Sequence, residues 1–303
     1  MQESGVIIND IAIDDSFAEA FGMKATRLII TAHSLQWAHH SAIALTGFAT
    51  SVIACGCEAG IEREFDASET PDGRPGVSVL LFATSTKELT KQLERRVAMC
   101  VLTSPTSAVF AGMEAQDKLP LGKYLRYFGD GYQSSKLIGG KRYWRIPVMD
   151  GDFMAEDTTG MVSAIGGGNF LVLARSQAQA LGACEAAIQA MRKVANVIMP
   201  FPGGVVRSGS KVGSKYHELR ASTNDPFCPT IKGATRTQLP AEVESVMEIV
   251  IDGLSEAVIR SAMLVGIGAV CRLGRDSGVV RISAGDYGGK LGKYHFRLRE
   301  IMA

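Results

Sequence analysis

An α+β fold of two ferredoxin-like lobes related by internal duplication, residues 1–150 and 151–303, is predicted from three observations. Short aliphatic runs alternate with stretches of helical apolar spacing along the 303-residue chain. The resulting strand–helix–strand unit occurs twice in the first half, and it returns twice in the second.

Arg27 to Thr31 is a short aliphatic run, Ser34 to Leu45 has helical spacing with Trp37 and Ile43 among its apolar positions, and Ala49 to Ala54 is aliphatic again. The first unit therefore reads strand, helix, strand. Gly56 and Gly60 punctuate it, and a polar loop ends in Pro71-Asp72-Gly73-Arg74-Pro75-Gly76, rich in turn formers. The second unit is a strand at Val77 to Phe82, a helix over Ser85 to Ala98 and a strand near Cys100 to Leu102. A loop-rich middle follows, with strands near Tyr143 to Val148. The rhythm returns as strand Asn169 to Ala174, helix Ser176 to Val194 and strand Asn196 to Met199, then as strand Ser245 to Ile251, helix Ser255 to Cys271 and strand Val279 to Ser283. A doubly wound parallel sheet is the competitor. It calls for more βα repeats and for a glycine-rich phosphate turn directly after the first strand, where Thr31-Ala32-His33-Ser34 has no glycine.

Charge and hydropathy narrow the function classes. Lys and Arg number 32 against 31 Asp and Glu, a net charge of +1, so no basic field neutralises a phosphate backbone and nucleic acid is not an expected partner. Met1 to Asp15 is polar and acidic, and no apolar run approaches the ~18 residues that span a bilayer. A cytoplasmic protein with no membrane partner and with reduced cysteines is expected. Of the six cysteines only Cys55-Gly56-Cys57 forms a close pair, and its one-residue spacing is shorter than that of common zinc sites; small buried thiols at a strand end fit it better. His39 and His40 point in different directions on a helix and no second ligand follows at a metal-binding spacing, so no metal is expected.

Glycine-rich segments crowd the second half: Gly166 to Asn169, Pro200-Phe201-Pro202-Gly203-Gly204, Gly209 to Lys215, and Ser283 to Lys290. Glycine lets backbone approach a ligand closely, and Lys211, Lys215 and Lys290 add positive charge suited to carboxylate or phosphate tails. The same segments also read as strand-connecting turns with solvated lysines. Neither lysine loop is a nucleotide-binding P-loop, because Gly285 and Gly289 stand too close and Lys290 precedes Leu291. Phe128-Gly129-Asp130-Gly131-Tyr132-Gln133 is a tight turn flanked by aromatics, able to stack a flat ring and accept a hydrogen bond at Asp130, or a plain hairpin turn. Ser222 to Thr230, with Asn224, is a polar loop stiffened by two prolines. No serine lies in a Gly-x-Ser-x-Gly elbow, and Ser208 in Arg207-Ser208-Gly209 lacks the preceding glycine, so a covalent mechanism is not expected.

Glu248 stands alone in Val246-Met247-Glu248-Ile249-Val250-Ile251. If the strand is buried, desolvation raises its pKa and favours a neutral acid that donates a hydrogen bond or proton near neutral pH. A glutamate facing water on an edge strand, or one paired with an arginine, fits the pattern equally.

With these residues in view, the chain resembles the formylmethanofuran:tetrahydromethanopterin formyltransferase family almost end to end. The signposts are Asp15 to Phe21, Thr46 to Ile53, Glu58 to Ile61, Glu69 to Val77, Phe128 to Gln133, Gly167 to Asn169, Pro200 to Gly204, Gly209 to Lys215, Ala221 to Asp225 and Ser283 to Gly292. The resemblance implies duplicated ferredoxin-like lobes, no metal, no tightly bound cofactor, and formyl transfer between tetrahydromethanopterin and a methanofuran-type amine carrier as substrates. Glu248 matches the family's strand glutamate, which is placed near the transferring formyl group and, protonated, stabilises the oxyanion. Cys55 to Glu58, Arg145 to Gly151 and the near-neutral charge resemble the bacterial branch. Those relatives serve as one component of a formyltransferase/hydrolase complex, so a homo-oligomer, such a complex, or both are implied.

The substrate-binding residues expected on this basis are Phe128, Gly129, Asp130, Tyr132, Gly203, Gly204, Ser208, Lys211, Lys215, Asn224 and Lys290, with Glu248 catalytic. Two rivals stand beside it: a non-catalytic carrier-binding scaffold subunit of a one-carbon complex, and a folate-type transferase acting on another amine.

Overall fold

The computed structural model describes residues 6–303. Met23–Ala164 form one compact unit, and residues 6–22 together with Ile165–Ala303 form the other. Both boundaries fall inside long strands, Phe17–Thr31 and Thr158–Ala174. The segment before Met23 belongs with the second half of the chain because its strand Ile11–Ile13 pairs with Val279–Ser283 and Phe17 to Ala20 pair with Tyr294–Arg297.

In the unit Met23–Ala164, the first strand is followed by helix Leu35–Thr46, strands Glu58–Phe65 and Gly76–Ala83, helix Thr86–Arg96 and strand Ala108–Ala111. Glu58–Phe65 pairs antiparallel with Gly76–Ala83, which pairs with Lys24 to Thr31, which pairs with Ala108–Ala111. Gly76–Ala83 is buried at every position, and Leu45, Leu89 and Leu93 of the two helices pack on the sheet through Leu28, Ile30, Val79 and Leu81. A meander of Ser134–Ile138, Lys141–Val148 and Gly151–Glu156 extends it through a parallel pairing at Ala108 and Val109.

The other unit repeats this plan. Ile165 to Ala174 is followed by helix Gln177–Met191, strands Val197–Ile198 and Ser245–Gly253, helix Glu256–Arg272 and strand Val279–Ser283. Val197–Ile198 pairs with Ser245–Gly253, which pairs with Ile165 to Ala174, which pairs with Val279–Ser283, all antiparallel. Its core brings Phe170, Val172, Met247, Ile249 and Ile251 against Met191, Met263 and Ile267 of the helices.

Four serines start the four long helices. Ser34, Ser85, Ser176 and Ser255 are extended, and each hydroxyl accepts from the backbone N–H three residues on, that of Trp37, Glu88, Gln179 and Val258. Each satisfies a donor that the first helical turn would leave bare. Ser255→Ala is expected to cost about 1 kcal/mol, read as a lower denaturation midpoint at unchanged slope.

Two expected strands are absent. Ala49 to Ala54 contains a short helix, Val52–Cys55, capped by Ser51 and ended by Gly56 at φ 77°, and the strand begins only at Glu58. Cys100 to Leu102 continues the preceding helix as a π-helical turn, Val97–Val101, and the strand is Ala108–Ala111. Leu89, Leu93, Val97 and Val101 recur every four residues and all are buried, so the helical face outcompetes the β propensity of a short apolar run. None of the helices among the described residues is long and apolar enough to cross a membrane.

Candidate active site

Residues alternate along Ser245–Gly253, so Met247, Ile249 and Ile251 enter the core while Val246, Glu248 and Val250 face the other side of the sheet. Glu248 is held between two backbone partners. It lies opposite Leu171 on one side; on the other, Val206 N–H donates to its carbonyl at 2.7 Å and its own N–H donates to Val206 at 3.0 Å. The strand is not a free edge there, and Glu248 as a whole is half-buried. Desolvation raises its pKa to about 7, and no ion pair or hydrogen bond among the described residues offsets that rise. Near neutrality a large fraction of Glu248 is therefore a neutral acid.

Glu248 lines a pocket together with Leu171, Val206, Ser208, Asn224, Phe227 and Met247, among others. Phe227, Leu239 and Val243 of the segment 205–243 pack on Leu171, Leu173 and Val246, so this apolar cover sets the depth at which Glu248 sits. Asn224 is fixed by its backbone, donating to Gly209 O at 3.2 Å and accepting from Phe227 N at 3.0 Å. Ser208 is exposed at the rim. Gly203 (φ 64°) and Gly204 (φ 90°) turn the chain into Val206; at Gly204 a Cβ would lie 2.5 Å from Ile188 Cδ1, so only glycine fits.

The lysines take different places. Lys211, on the hairpin Ser210–Val212 and Ala221–Thr223, is engaged by Asp225, whose carboxyl it holds below the usual range. Lys215 is exposed near the same aspartate. Lys290 is exposed on the loop after Ser283. Backbone amides of that loop do converge on a carboxylate, and it is the protein's own. Glu19, fully buried, accepts from Tyr287 N at 2.8 Å and Gly289 N at 2.9 Å and also from Leu291 N and Gly292 N. Burial alone would raise its pKa; the four donors outweigh it and keep the carboxyl ionised.

Asn169 closes the arrangement. It lies opposite Val250, on the same sheet face as Leu171 and Glu248. Its side chain accepts from Gly285 N at 2.6 Å and donates to Gly167 O at 3.2 Å. The loop therefore starts beside the row that carries Glu248. Burial pushes the Tyr287 phenol up to about 12, with the carboxylates of Glu248 and Glu19 adding to the rise, and its ring meets that of Phe21 at 6.3 Å.

Glu248, Ser208 and Asn224 are thus brought to one pocket, with Gly203 and Gly204 leading into it. Phe128, Gly129, Asp130 and Tyr132 belong to the other compact unit. There a 3-10 turn, Arg126–Gly129, ends at Asp130 in the left-handed region, and Phe128 and Tyr132 are 65% and 83% exposed, free to stack on a ring. Sequence reasoning named Asn169 and Tyr287 only within glycine-rich segments, and Glu19 only within a segment of family resemblance, and assigned none of the three to the site. The signal for Glu19 was the one that found Glu248, a lone carboxyl inside an apolar strand. Among the described residues no group of three or more His, Cys, Asp or Glu is arranged to hold a metal.

The geometry can be set against known proteins. The family model for formylmethanofuran-tetrahydromethanopterin formyltransferase matches residues 6–148, and one described as the FTR proximal lobe matches 151–301. The formylmethanofuran–tetrahydromethanopterin formyltransferase of Methylococcus capsulatus is 71% identical over 298 residues, 98% of this chain and 100% of that one. One component of the formyltransferase/hydrolase complex of Methylorubrum extorquens is 47% identical, over 99% of this chain and 98% of that one. A crystal structure of that complex with methylofuran contains a chain that superposes with a TM-score of 0.97 at 47% identity, covering 99% of both. The chain belongs to the formylmethanofuran–tetrahydromethanopterin formyltransferase family.

Proposed function

We propose that the protein transfers a formyl group between tetrahydromethanopterin and a methanofuran-type amine carrier, with Glu248 as the neutral acid of the reaction. The observation that carries the chemistry is the Glu248 carboxyl, raised to about 7 by burial, on a residue that lines a pocket. In either direction an amine nitrogen adds to the formyl carbon, the carbonyl oxygen gains negative charge, and the C–N bond to the other carrier then breaks. The proton lost by the attacking nitrogen is matched by one gained at the leaving nitrogen. A neutral carboxylic acid is suited to donate a hydrogen bond to that oxygen. Both nucleophile and leaving group come from the carriers, so the protein needs no nucleophile of its own, and much of the rate comes from holding two substrates in reacting geometry.

Ser208, Asn224, Gly203 and Gly204 shape the carrier pocket in this reading. Phe128, Gly129, Asp130 and Tyr132 offer an aromatic platform for a flat ring, and Lys215 and Lys290 offer exposed cations for acidic tails; Lys211, engaged by Asp225, would have to be shared. Duplication of a ferredoxin-like lobe, with one repeat inside 1–150 and the other inside 151–303, is supported by the identical order of elements and strand pairings in the two units and by the four serine caps. Assembly into a formyltransferase/hydrolase complex is supported by the likeness to one component of such a complex. The purified protein, given both carriers, should turn over. Carrier binding without formyl transfer would sink the reading, and preference for tetrahydrofolate over tetrahydromethanopterin would redirect it.

A further inference from the structure

We propose that Glu19 is a positioning residue for this reaction: its carboxylate folds Gly285–Gly292 into the cover that keeps Tyr287 over the sheet face carrying Glu248. The inference rests on the assignment of Glu248 as the acid.

The loop cannot hold this shape by itself. Gly288 and Gly289 lie at φ 85° and 72°, and eight consecutive positions from Gly285 to Gly292 include four glycines, so backbone entropy favours its release. Glu19 opposes that with four charge-assisted hydrogen bonds to amides spread from Tyr287 to Gly292. Glu19 N also donates to Gly285 O at 3.3 Å, and Asn169 holds Gly285 from the sheet. Contact is closest at Gly292, where a Cβ would stand 2.6 Å from Glu19 Cγ and 2.7 Å from Ala20 O. The loop is thus tied at both ends around one carboxylate, and Tyr287 is carried between the ties.

Among the described residues Glu248 has no charge partner that could set its proton affinity; its shift comes from loss of water alone. Whatever covers it therefore tunes it. The titratable groups near it are Arg207 and Cys228, which line the pocket from the covering segment, and Tyr287 of the loop, whose phenol interacts with both Glu248 and Glu19. Arg207 is exposed, and Tyr287 stays neutral across the working range. If Glu19 releases the loop, water reaches the carboxyl and Glu248 ionises at lower pH.

The test compares Glu19→Gln, Gly292→Ala, Tyr287→Ala and Tyr287→Phe with the parent protein in pH profiles of kcat. Glu19→Gln replaces an acceptor oxygen by an amide that faces N–H donors. It and Tyr287→Ala should move the profile's apparent pKa down by about one unit or more and lower kcat about tenfold at pH 7, with KM changing less. Gly292→Ala, which disturbs the loop from the other side, should do the same. Tyr287→Phe keeps the ring and should retain the parent profile. Trypsin cleavage after Lys290 should speed up in Glu19→Gln, which reads the loop independently of activity. An unmoved pH profile in Glu19→Gln with faster cleavage at Lys290 would reduce Glu19 to a stabilising residue and overturn the proposal, and so would protection of Lys290 equal to the parent's. The Glu248→Gln variant separates the two assignments: a titrating limb that survives in it belongs to another group, and the reading of Glu248 itself then falls.

Discussion

Glu248→Gln is expected to lower kcat for formyl transfer about a hundredfold, with the fold and carrier affinity retained. Glutamine keeps a hydrogen-bond donor near the developing oxyanion, but an amide is a weaker donor than a neutral carboxylic acid, so residual activity reports what the weaker hydrogen bond supplies. Glu248→Ala removes the donor altogether and should fall further, to about 10³-fold below the parent. The pH profile carries the same information. The active form is the protonated one, so kcat should be flat on the acid side of about 7 and fall by about tenfold per unit above it. Turnover by Glu248→Gln equal to the parent's would remove Glu248 from the mechanism.

The stability consequence has a definite sign. The folded-state pKa of Glu248 lies at about 7 against an ordinary value of 4.5, so folding favours the proton on this group. Its contribution is fully present below 4.5 and is lost as pH rises through about 7. Glu248→Gln, which carries no ionisable group there, should therefore gain stability relative to the parent as pH rises from about 5 to 8. Equilibrium unfolding at the two ends of that range reads the difference. A variant that is slower yet more stable at high pH is what a site selected for chemistry gives.

How much of this is legible in the sequence depends on how local its cause is. The helices over 35–46, 86–96, 177–191 and 256–272 were readable from apolar spacing, and their serine starts made the beginnings readable too. Ala49 to Ala54 misled because an apolar run of that length suits strand and helix alike, and the Ser51 cap and Gly56 stop decided for the helix. Glu248 was legible because one carboxyl among Val, Met and Ile is anomalous in any fold. That it would be covered and not an exposed edge was not, since Val206 pairs with it and Phe227 lines the same pocket from far along the chain. Glu19 shows the limit most clearly. Its four amide partners lie 268 to 273 residues further along the chain, and nothing in Phe17-Ala18-Glu19-Ala20-Phe21 announces them.

Phe170→Ala is expected to destabilise the protein by about 3–5 kcal/mol. Phe170 is fully buried between the sheet and the paired helices Gln177–Met191 and Glu256–Arg272. The site is packed too closely to relax, because a Cβ placed at Gly266 would already lie 2.5 Å from Met191 Sδ and 3.2 Å from Phe170 Cζ. Truncation therefore leaves a cavity that the helices cannot fill, and a loss of that size is a large share of the 5–15 kcal/mol or so that holds a typical domain together. The next residue, Leu171, faces the other way and lies opposite Glu248, so one strand carries core packing on one face and the wall of the pocket on the other. Phe170→Ala should accordingly lower the urea midpoint strongly while the molecules still folded at low temperature keep kcat within a few-fold, because the hydrogen-bonded register between Leu171 and Glu248 does not depend on the lost ring. A loss of kcat as deep as that of Glu248→Gln, in protein shown to be folded, would mean that the helix-packed face sets the position of the acid as well as the stability of the fold.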